Sequence, residues 1–268
     1  NRETAQYLKS WHYVAGIQWD SPFNSRLSLE GFFKHYPNYM LSLRDSVSLA
    51  HLSVDFGVFG NFPVDFDSQG RAYGMELFYQ QRLFRGFYGM LSYTLGWSES
   101  QDKNGEHVAS SWDARHILNL TLGRRFNEKW EVGVNWRFQS ALPYSPFLEE
   151  LSSLRPVWDI ANQGIRNYDQ LNTLRGKSVH TIDLRVDRIY QFKNWTLNVY
   201  LDLENITADS DSQQALILDR NKDADGNLTD EGVIINPDAP YEQQRYRLKS
   251  IANAQGALIP TFGFIAKF

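Results

Sequence analysis

From Trp195 the chain alternates with a period of two: Trp195, Leu197, Val199, Leu201 and Leu203 on one side, Thr196, Asn198, Tyr200, Asp202 and Glu204 on the other. Side chains of a strand point to opposite faces in turn, so this segment is a strand with one apolar and one charged face. The segment before it repeats the pattern, Ile182, Leu184 and Val186 against Asp183, Arg185 and Asp187, and Lys193 and Asn194 stand at the turn between the two. His180 to Asn205 therefore reads as a β-hairpin. Each arm is about ten residues long, which at ~3.3 Å per residue and a tilt near ~45° rises ~24 Å, the height of the apolar band of a transmembrane barrel.

The same period recurs along the chain. Tyr13, Ala15, Ile17 and Trp19 mark a weaker first strand, Leu27, Leu29, Gly31 and Phe33 a second, and Tyr73, Met75, Leu77 and Tyr79 a third. A fourth runs from Phe87 to Trp97, a fifth carries Leu118, Leu120 and Leu122, and a sixth runs from Trp130 to Phe138. The central hairpin supplies two more, and a ninth ends at Phe268. Short turns at 21–25, 85–86, 127–129 and 193–194 alternate with long connections at 37–70, 141–178 and 207–257 and a medium one at 99–115. A soluble β-sandwich has no reason to sort its loops in this way, whereas an outer-membrane barrel has short periplasmic turns and long extracellular loops. The aromatic residues Trp11, Trp19, Phe87, Trp97, Trp130, Trp136, Phe138 and Trp195 are expected at strand ends, as girdles. The expected fold is all-β: an antiparallel transmembrane β-barrel section of about nine strands, with residues 1–268 forming one piece of a larger barrel domain.

Composition changes little in this picture and excludes several others. A net charge of −4 leaves no basic footprint for nucleic acid, and the absence of cysteine removes disulfides and thiolate metal sites. No run of ~18 apolar residues offers a transmembrane helix, which says nothing against strands. The opening Asn1-Arg2-Glu3-Thr4 has neither an initiator Met nor a signal pattern, as expected of a processed or partial product.

Gly70-Arg71-Ala72-Tyr73-Gly74-Met75-Glu76, the strand Tyr88 to Leu95, Trp112-Asp113-Ala114-Arg115-His116, Ser140-Ala141-Leu142-Pro143-Tyr144-Ser145-Pro146 and the strand Tyr200 to Asn205 follow one another in order. Together they resemble the C-terminal barrel portion of TonB-dependent outer-membrane receptors. The final Thr261 to Phe268 is similar to the C-terminal signal by which barrels are recognised for insertion, with Ala266 where a larger apolar residue is usual. The resemblance implies a Gram-negative outer-membrane location, a plugged barrel of about 22 strands, and energy-coupled uptake of a solute. It implies as partners the membrane lipid, the remaining barrel strands and plug, an energy-coupling periplasmic protein and surface-exposed proteins. Nothing in this sequence looks like the plug, so the plug and the missing strands are expected from upstream sequence or another chain. The alternative is a receptor-like barrel acting as a structural or interaction subunit of an outer-membrane complex.

Candidate chemistry is sparse, and no cofactor is called for. Asn221-Lys222-Asp223-Ala224-Asp225-Gly226-Asn227 follows the calcium-loop spacing of oxygen ligands, so Asn221, Asp223 and Asp225 are metal candidates. The twelfth position, where a bidentate Glu belongs, is Gly232, and an acidic turn is the commoner use of such a stretch. Six histidines are scattered without ligand spacing, and no Ser and His pair is marked for rim catalysis, so an enzyme is not expected. His116 is expected at a strand start, held by Asp113 or Arg115. Asp183, Arg185, Asp187, Asp202 and Glu204 should face the lumen, either lining a substrate path or forming a solvated ladder. The loops are the expected solute or partner contacts. With Phe268 in the periplasm, strand parity makes the first and ninth strands parallel, so they should not close on each other.

Overall fold

The computed structural model describes residues 5–52, 63–210, 214–252 and 256–268. Nine long strands follow each other as one antiparallel meander: β1 (Trp11–Ser21), β2 (Ser25–Ser42), β3 (Val64–Phe84), β4 (Phe87–Gln101), β5 (His116–Phe126), β6 (Trp130–Gln139), β7 (Val179–Gln191), β8 (Thr196–Glu204) and β9 (Ile259–Lys267). A short strand, His107–Ala109, folds back on the end of β4. Among the described residues β1 and β9 are the two edges of the sheet and do not pair with each other, so the barrel is left open.

Register carries the alternation from strand to strand. Ile17, Leu29, Leu77, Tyr93, Leu118 and Phe138 stand opposite one another across β1 to β6. Further along, Leu184 faces Val134 and Leu203, and Val186 faces Val132 and Leu201. One face of the sheet is thus apolar through its middle, and a slip of one residue in any pair would bring charges onto it there. On the other face Glu30 stands opposite Glu76, Asn119 opposite Arg137, and Arg185 opposite Asp202.

Two aromatic rows bound the apolar face. On the turn side Phe192 stacks on Trp195 at 4.4 Å, Trp195 on Phe268 at 6.0 Å, and Phe23 meets Phe84 at 6.1 Å. On the loop side Tyr13 lies 6.3 Å from Phe33, Tyr73 stacks on Trp97 at 5.4 Å and Phe138 lies 5.9 Å from His180. From Phe87 to Trp97 the chain advances ~33 Å along β4, or ~23 Å along the membrane normal at the usual tilt, close to the apolar height of an outer-membrane barrel. Trp97 and Trp136 are not at strand ends as expected, because β4 continues to Gln101 and β6 to Gln139.

The turns are tight. Arg85 and Gly86 both take positive φ (51° and 84°), as a two-residue hairpin requires. Gly86 is doubly constrained, since a Cβ there would also meet the Arg125 carbonyl, which lies in the strand hydrogen-bonded to it: Arg125 N–H donates to the Gly86 carbonyl at 2.8 Å. Asn127 and Glu128 likewise turn at positive φ between β5 and β6.

The long connections are more ordered than the sequence suggests. The irregular stretch expected at 37–70 is largely strand at both ends, β2 reaching Ser42 and β3 starting at Val64, and 53–62 lies outside the described residues. Pro37 is tolerated because β1 stops pairing at His35 and the β2–β3 register shifts between Tyr36 and Tyr39; proline is at home on such a free edge and bulge. The connection at 99–115 is shortened by the end of β4. The connection at 141–178 contains two short helices, α1 (Glu149–Ser153) and α2 (Arg155–Ala161), and that at 207–257 contains the strand pairs Gln214–Leu218 with Leu248–Ala252 and Arg220–Lys222 with Leu228–Gly232.

Leu201 and Asp202 test the two faces. Leu201 is exposed on the apolar side, and Asp202 accepts from Arg185 at 3.4 Å on the other. Leu201→Arg should cost on the order of 2–4 kcal/mol near mid-membrane, while Asp202→Asn, which leaves Arg185 its second carboxylate, should cost under ~1 kcal/mol. Unfolding titrations of both variants in lipid vesicles check this, and equal losses would invert the face assignment.

Candidate functional site

The charged face of the sheet is a cross-strand ladder. Arg185 donates to both oxygens of Asp187, at 3.0 and 3.1 Å, and to Asp202, and it stacks on the Tyr200 ring at 4.0 Å. Asn198 donates to Asp187 at 2.7 Å. Asp183 accepts from Asn135 at 3.1 Å and from the Asn205 N–H at 2.8 Å, and Thr121 donates to Asn135 at 3.0 Å. Tyr88 donates to Glu131 at 2.6 Å, and Arg125 donates to the other oxygen at 2.9 Å. Tyr88 lies across Gly123, and Tyr200 across Gly263, in each case the opposite residue on the neighbouring strand. A side chain on either glycine would displace the ring that carries the ladder. Three of the five expected lumenal charges, Arg185, Asp187 and Asp202, are thereby joined to one another, Asp183 is held separately by Asn135 and Asn205, and Glu204 stands exposed at the loop end of β8.

At the loop side a buried carboxylate fastens the connections to the sheet. Asp113, whose side chain is fully buried, accepts from the Ser98 N–H at 2.8 Å, from Arg115 at 2.9 Å and from Arg175. Arg175 also donates to the Asp113 and Ala141 carbonyls, at 2.8 and 2.9 Å. The connections 102–115 and 141–178 are thus tied to the top of β4 by one residue. His116 does start β5, but its ring pairs with the Tyr93 hydroxyl at 2.8 Å rather than with Asp113 or Arg115. Those two residues are engaged with each other.

Beside this anchor Ser48, Ser68, Ser100 and Ser110 are buried; the Ser100 hydroxyl donates to Ser48 at 2.9 Å and meets Ser68 at 3.4 Å, and Ser110 pairs separately with the Ser98 hydroxyl at 2.7 Å. His51 closes the cluster, its Nε2 against the Val108 carbonyl at 3.3 Å, and burial holds its pKa below the ordinary imidazole value. Nothing in the sequence marks these serines, because a serine in a long connection reads as a solvated turn residue.

The connections 141–178 and 207–257 interlock. Arg155 donates to the Gln244 side chain at 2.6 Å, Tyr246 N–H to the Ser153 carbonyl at 2.7 Å, and Arg245 to the Ser153 hydroxyl at 2.7 Å. Tyr241 and Tyr246 each donate to one oxygen of Asp159, both at 2.9 Å. The hydrogen bond to Asp159 raises the Tyr241 pKa above its ordinary value, and burial first, then Asp159, does the same for Tyr246. Between the two connections lies a cleft of about 690 Å³ lined by Arg155, Trp158, Asn162, Asp230 and Tyr246. Trp158 is 5% exposed, and among the described residues its indole N–H has no acceptor. A cleft with a buried unsatisfied donor, an arginine, carboxylates and tyrosine rings suits a polar solute that offers acceptors.

Of the metal candidates, Asn221 lines this cleft from the hairpin Arg220–Lys222 with Leu228–Gly232, and Asp223 and Asp225 stand in that hairpin's turn. Asp223 accepts from the N–H groups of Asp225 and Asn227, at 3.0 and 2.8 Å, and Asn221 donates to the Gly232 carbonyl at 3.3 Å. Asp223 is therefore turned inward on its own turn, and Asp225 contributes its N–H to it. Among the described residues, no three His, Asp or Glu come together to hold a metal.

The two-faced meander, its aromatic rows and its asymmetric ends agree with the sequence comparison, in which a model of the TonB dependent receptor-like β-barrel matches residues 8–206. The chain belongs to this family. The family is one of receptors and transporters, not enzymes. No curated protein sequence matches the chain. Among solved structures, the ferric-catecholate import receptor Fiu from E. coli K12 aligns over 97% of this chain and 27% of its own, with 10% identity and a TM-score of 0.52. The ferric yersiniabactin uptake receptor FyuA from Yersinia pestis aligns over 97% and 30%, with 12% identity and a TM-score of 0.51. The ferripyoverdine receptor of Pseudomonas aeruginosa aligns over 77% and 24%, with 16% identity and a TM-score of 0.50. These likenesses concern the fold, and the chain spans 24–30% of those receptors' length.

Two outcomes check the loop assembly. Asp113→Ala leaves Arg115 and Arg175 without their carboxylate; because both guanidinium groups are about a third exposed, the loss should be ~2 kcal/mol rather than the ~3–5 of a fully buried pair. Limited proteolysis should then cut 102–115 and 141–178 while the sheet survives; an unchanged digest would remove Asp113 as the anchor. Asp209 and Asp219 have pKa values lowered chiefly by hydrogen bonds from Lys177 and Lys249. A carboxylate depressed on folding contributes stability that is present at neutral pH and is lost only as pH falls through its folded value. Amide exchange over 214–252 should therefore stay slow down to pH ~5 and quicken only below ~4. Exchange that quickens already near pH ~6 would mean histidines, not these aspartates, hold the loop.

Proposed function

We propose that this chain forms part of the wall of an outer-membrane receptor that takes up a solute by energy-coupled displacement of a plug. The observation that carries this reading is the sheet's polarity: an apolar face framed by aromatic rows, a charged ladder on the other face, and interlocked connections gathered on one side only. The connections lie outside the cell, with the cleft at Trp158 offering the solute its first contacts, and the short turns and Phe268 lie in the periplasm. The open edges of β1 and β9 are completed by further strands and the lumen by a plug, supplied by upstream sequence or a separate chain. A periplasmic energy-coupling protein acts on that plug.

The test is uptake by cells that carry or lack the intact protein, beginning with ferric siderophores because the receptors of like fold are named for them. Accumulation that needs both the protein and the proton-motive force supports the reading. Wild-type accumulation in cells lacking it, across the solutes tried, would favour the alternative of a structural subunit. Orientation is tested separately: protease added to intact cells should cut within 43–63, 141–178 or 207–257 and spare 85–86, 127–129 and 193–194. Cleavage confined to the turns would reverse the topology.

A further inference from the structure

Among the described residues, the apolar face from one aromatic row to the other has no Asp or Glu, and its only charged side chains are Arg124 on β5 and Arg188 on β7. Both stand in the turn-side row. The Arg124 guanidinium lies 4.4 Å from the Phe87 ring centre and 4.6 Å from that of Phe126, and Arg188 lies 4.6 Å from Trp130 and 5.3 Å from Tyr190. Among the described residues neither has a carboxylate within ion-pair reach, whereas Arg71, Arg115, Arg125 and Arg185 all have one. Register places the two on strands flanking β6, opposite Val132 and Trp130, so their backbones are ~12 Å apart across the sheet.

An arginine stacked between rings is fixed in direction, and its N–H fork is left to bind an acceptor that the protein does not supply. On a surface that faces lipid, with the fork at the level of the aromatic row, the acceptor within reach is a headgroup phosphate. Next to Arg124 the apolar face is hollowed into a groove of about 460 Å³ lined by Phe87, Leu91, Leu120, Leu122 and Val134, running from the guanidinium toward mid-membrane. Gly89 has no side chain at this place, opposite Leu122.

We infer that Arg124 and Arg188 form a binding site for an anionic glycerophospholipid of the periplasmic leaflet, its phosphate held by the two guanidinium groups and one acyl chain lying in the groove. The site rests on the turns facing the periplasm but not on the identity of the solute. Complementarity argues for this occupant: an apolar trough ending at the Arg124 guanidinium, with Arg188 two strands away on the same face, matches one acyl chain ending in one phosphodiester.

The test reconstitutes the intact protein in phosphatidylcholine vesicles and reads quenching of its tryptophans by dibrominated phosphatidylglycerol against dibrominated phosphatidylcholine. A preference of about fivefold per arginine for the anionic lipid is expected, from the attraction of a basic side chain at an anionic interface. R124Q/R188Q should abolish it, and R124K/R188K should keep part of it. Because both guanidinium groups point outward the variants should fold, as heat-modifiable gel migration checks; were the double variant to misfold, R124Q and R188Q alone would be read. A wild-type preference below about threefold, or one that the Gln variants retain, overturns the site. Displacement of the brominated lipid by lipid A more readily than by phosphatidylglycerol would also overturn it, by assigning these arginines to the outer leaflet. Displacement by millimolar inorganic phosphate would do so by making the ligand a free anion.

Discussion

In hydrocarbon an unpaired peptide N–H or C=O costs several kcal/mol, and no water is present to relieve it. A strand can stand in a membrane only when both of its edges are hydrogen-bonded, and this constraint arranges the rest of the chain. It requires long strands in unbroken register, so Leu201 meets Val186 and Phe262, and one face stays apolar across all nine strands. It requires tight turns where the chain must reverse without leaving backbone unpaired, hence the positive φ of Arg85 and Gly86. The same constraint sends the carboxylates of the spanning region to the ladder side, where Asp183 is met by Asn135 and Asp187 by Arg185 and Asn198.

What was legible in the sequence follows from the same physics. Period-two alternation is a direct imprint of the two faces, so the nine strands, their order and four tight turns could be read from residues such as Leu197 to Glu204. Strand ends were not legible. Pro37 and Gly70 read as loop because each breaks a strand inside a sheet; here β2 has lost its β1 neighbour beyond His35, and Gly70 lies against Tyr36 and Ser100 where β2 bulges. The folded interior of the long connections was less legible still. It is held by Asp113, Asp159 and the buried serines, whose partners lie tens of residues away, as with Arg155 and Gln244. Such contacts leave no local period.

The candidate site shows why loop chemistry resists reading from spacing alone. The acidic stretch at Asp223 has the spacing of a cation loop, yet its carboxylate is spent on its own turn's N–H groups. The residue that stands open, Trp158, carries no motif. It became visible only because α2 packs against the segment around Tyr246, burying an indole with its N–H unsatisfied. A donor left in that state marks a place where burial is incomplete without a further acceptor.

The charges of the chain are sorted by what can satisfy them rather than by sign alone. A carboxylate needs donors, and lipid has few to give, so the acids between the aromatic rows turn to the ladder. A guanidinium needs acceptors, and lipid headgroups have them. Arg185 therefore pairs within the protein while Arg124 and Arg188, one strand either side of β6, face outward with only rings about them. Arg185 stacks on Tyr200 as well, so it is the carboxylate partners, present for Arg185 and absent for Arg124 and Arg188, that distinguish the two settings here.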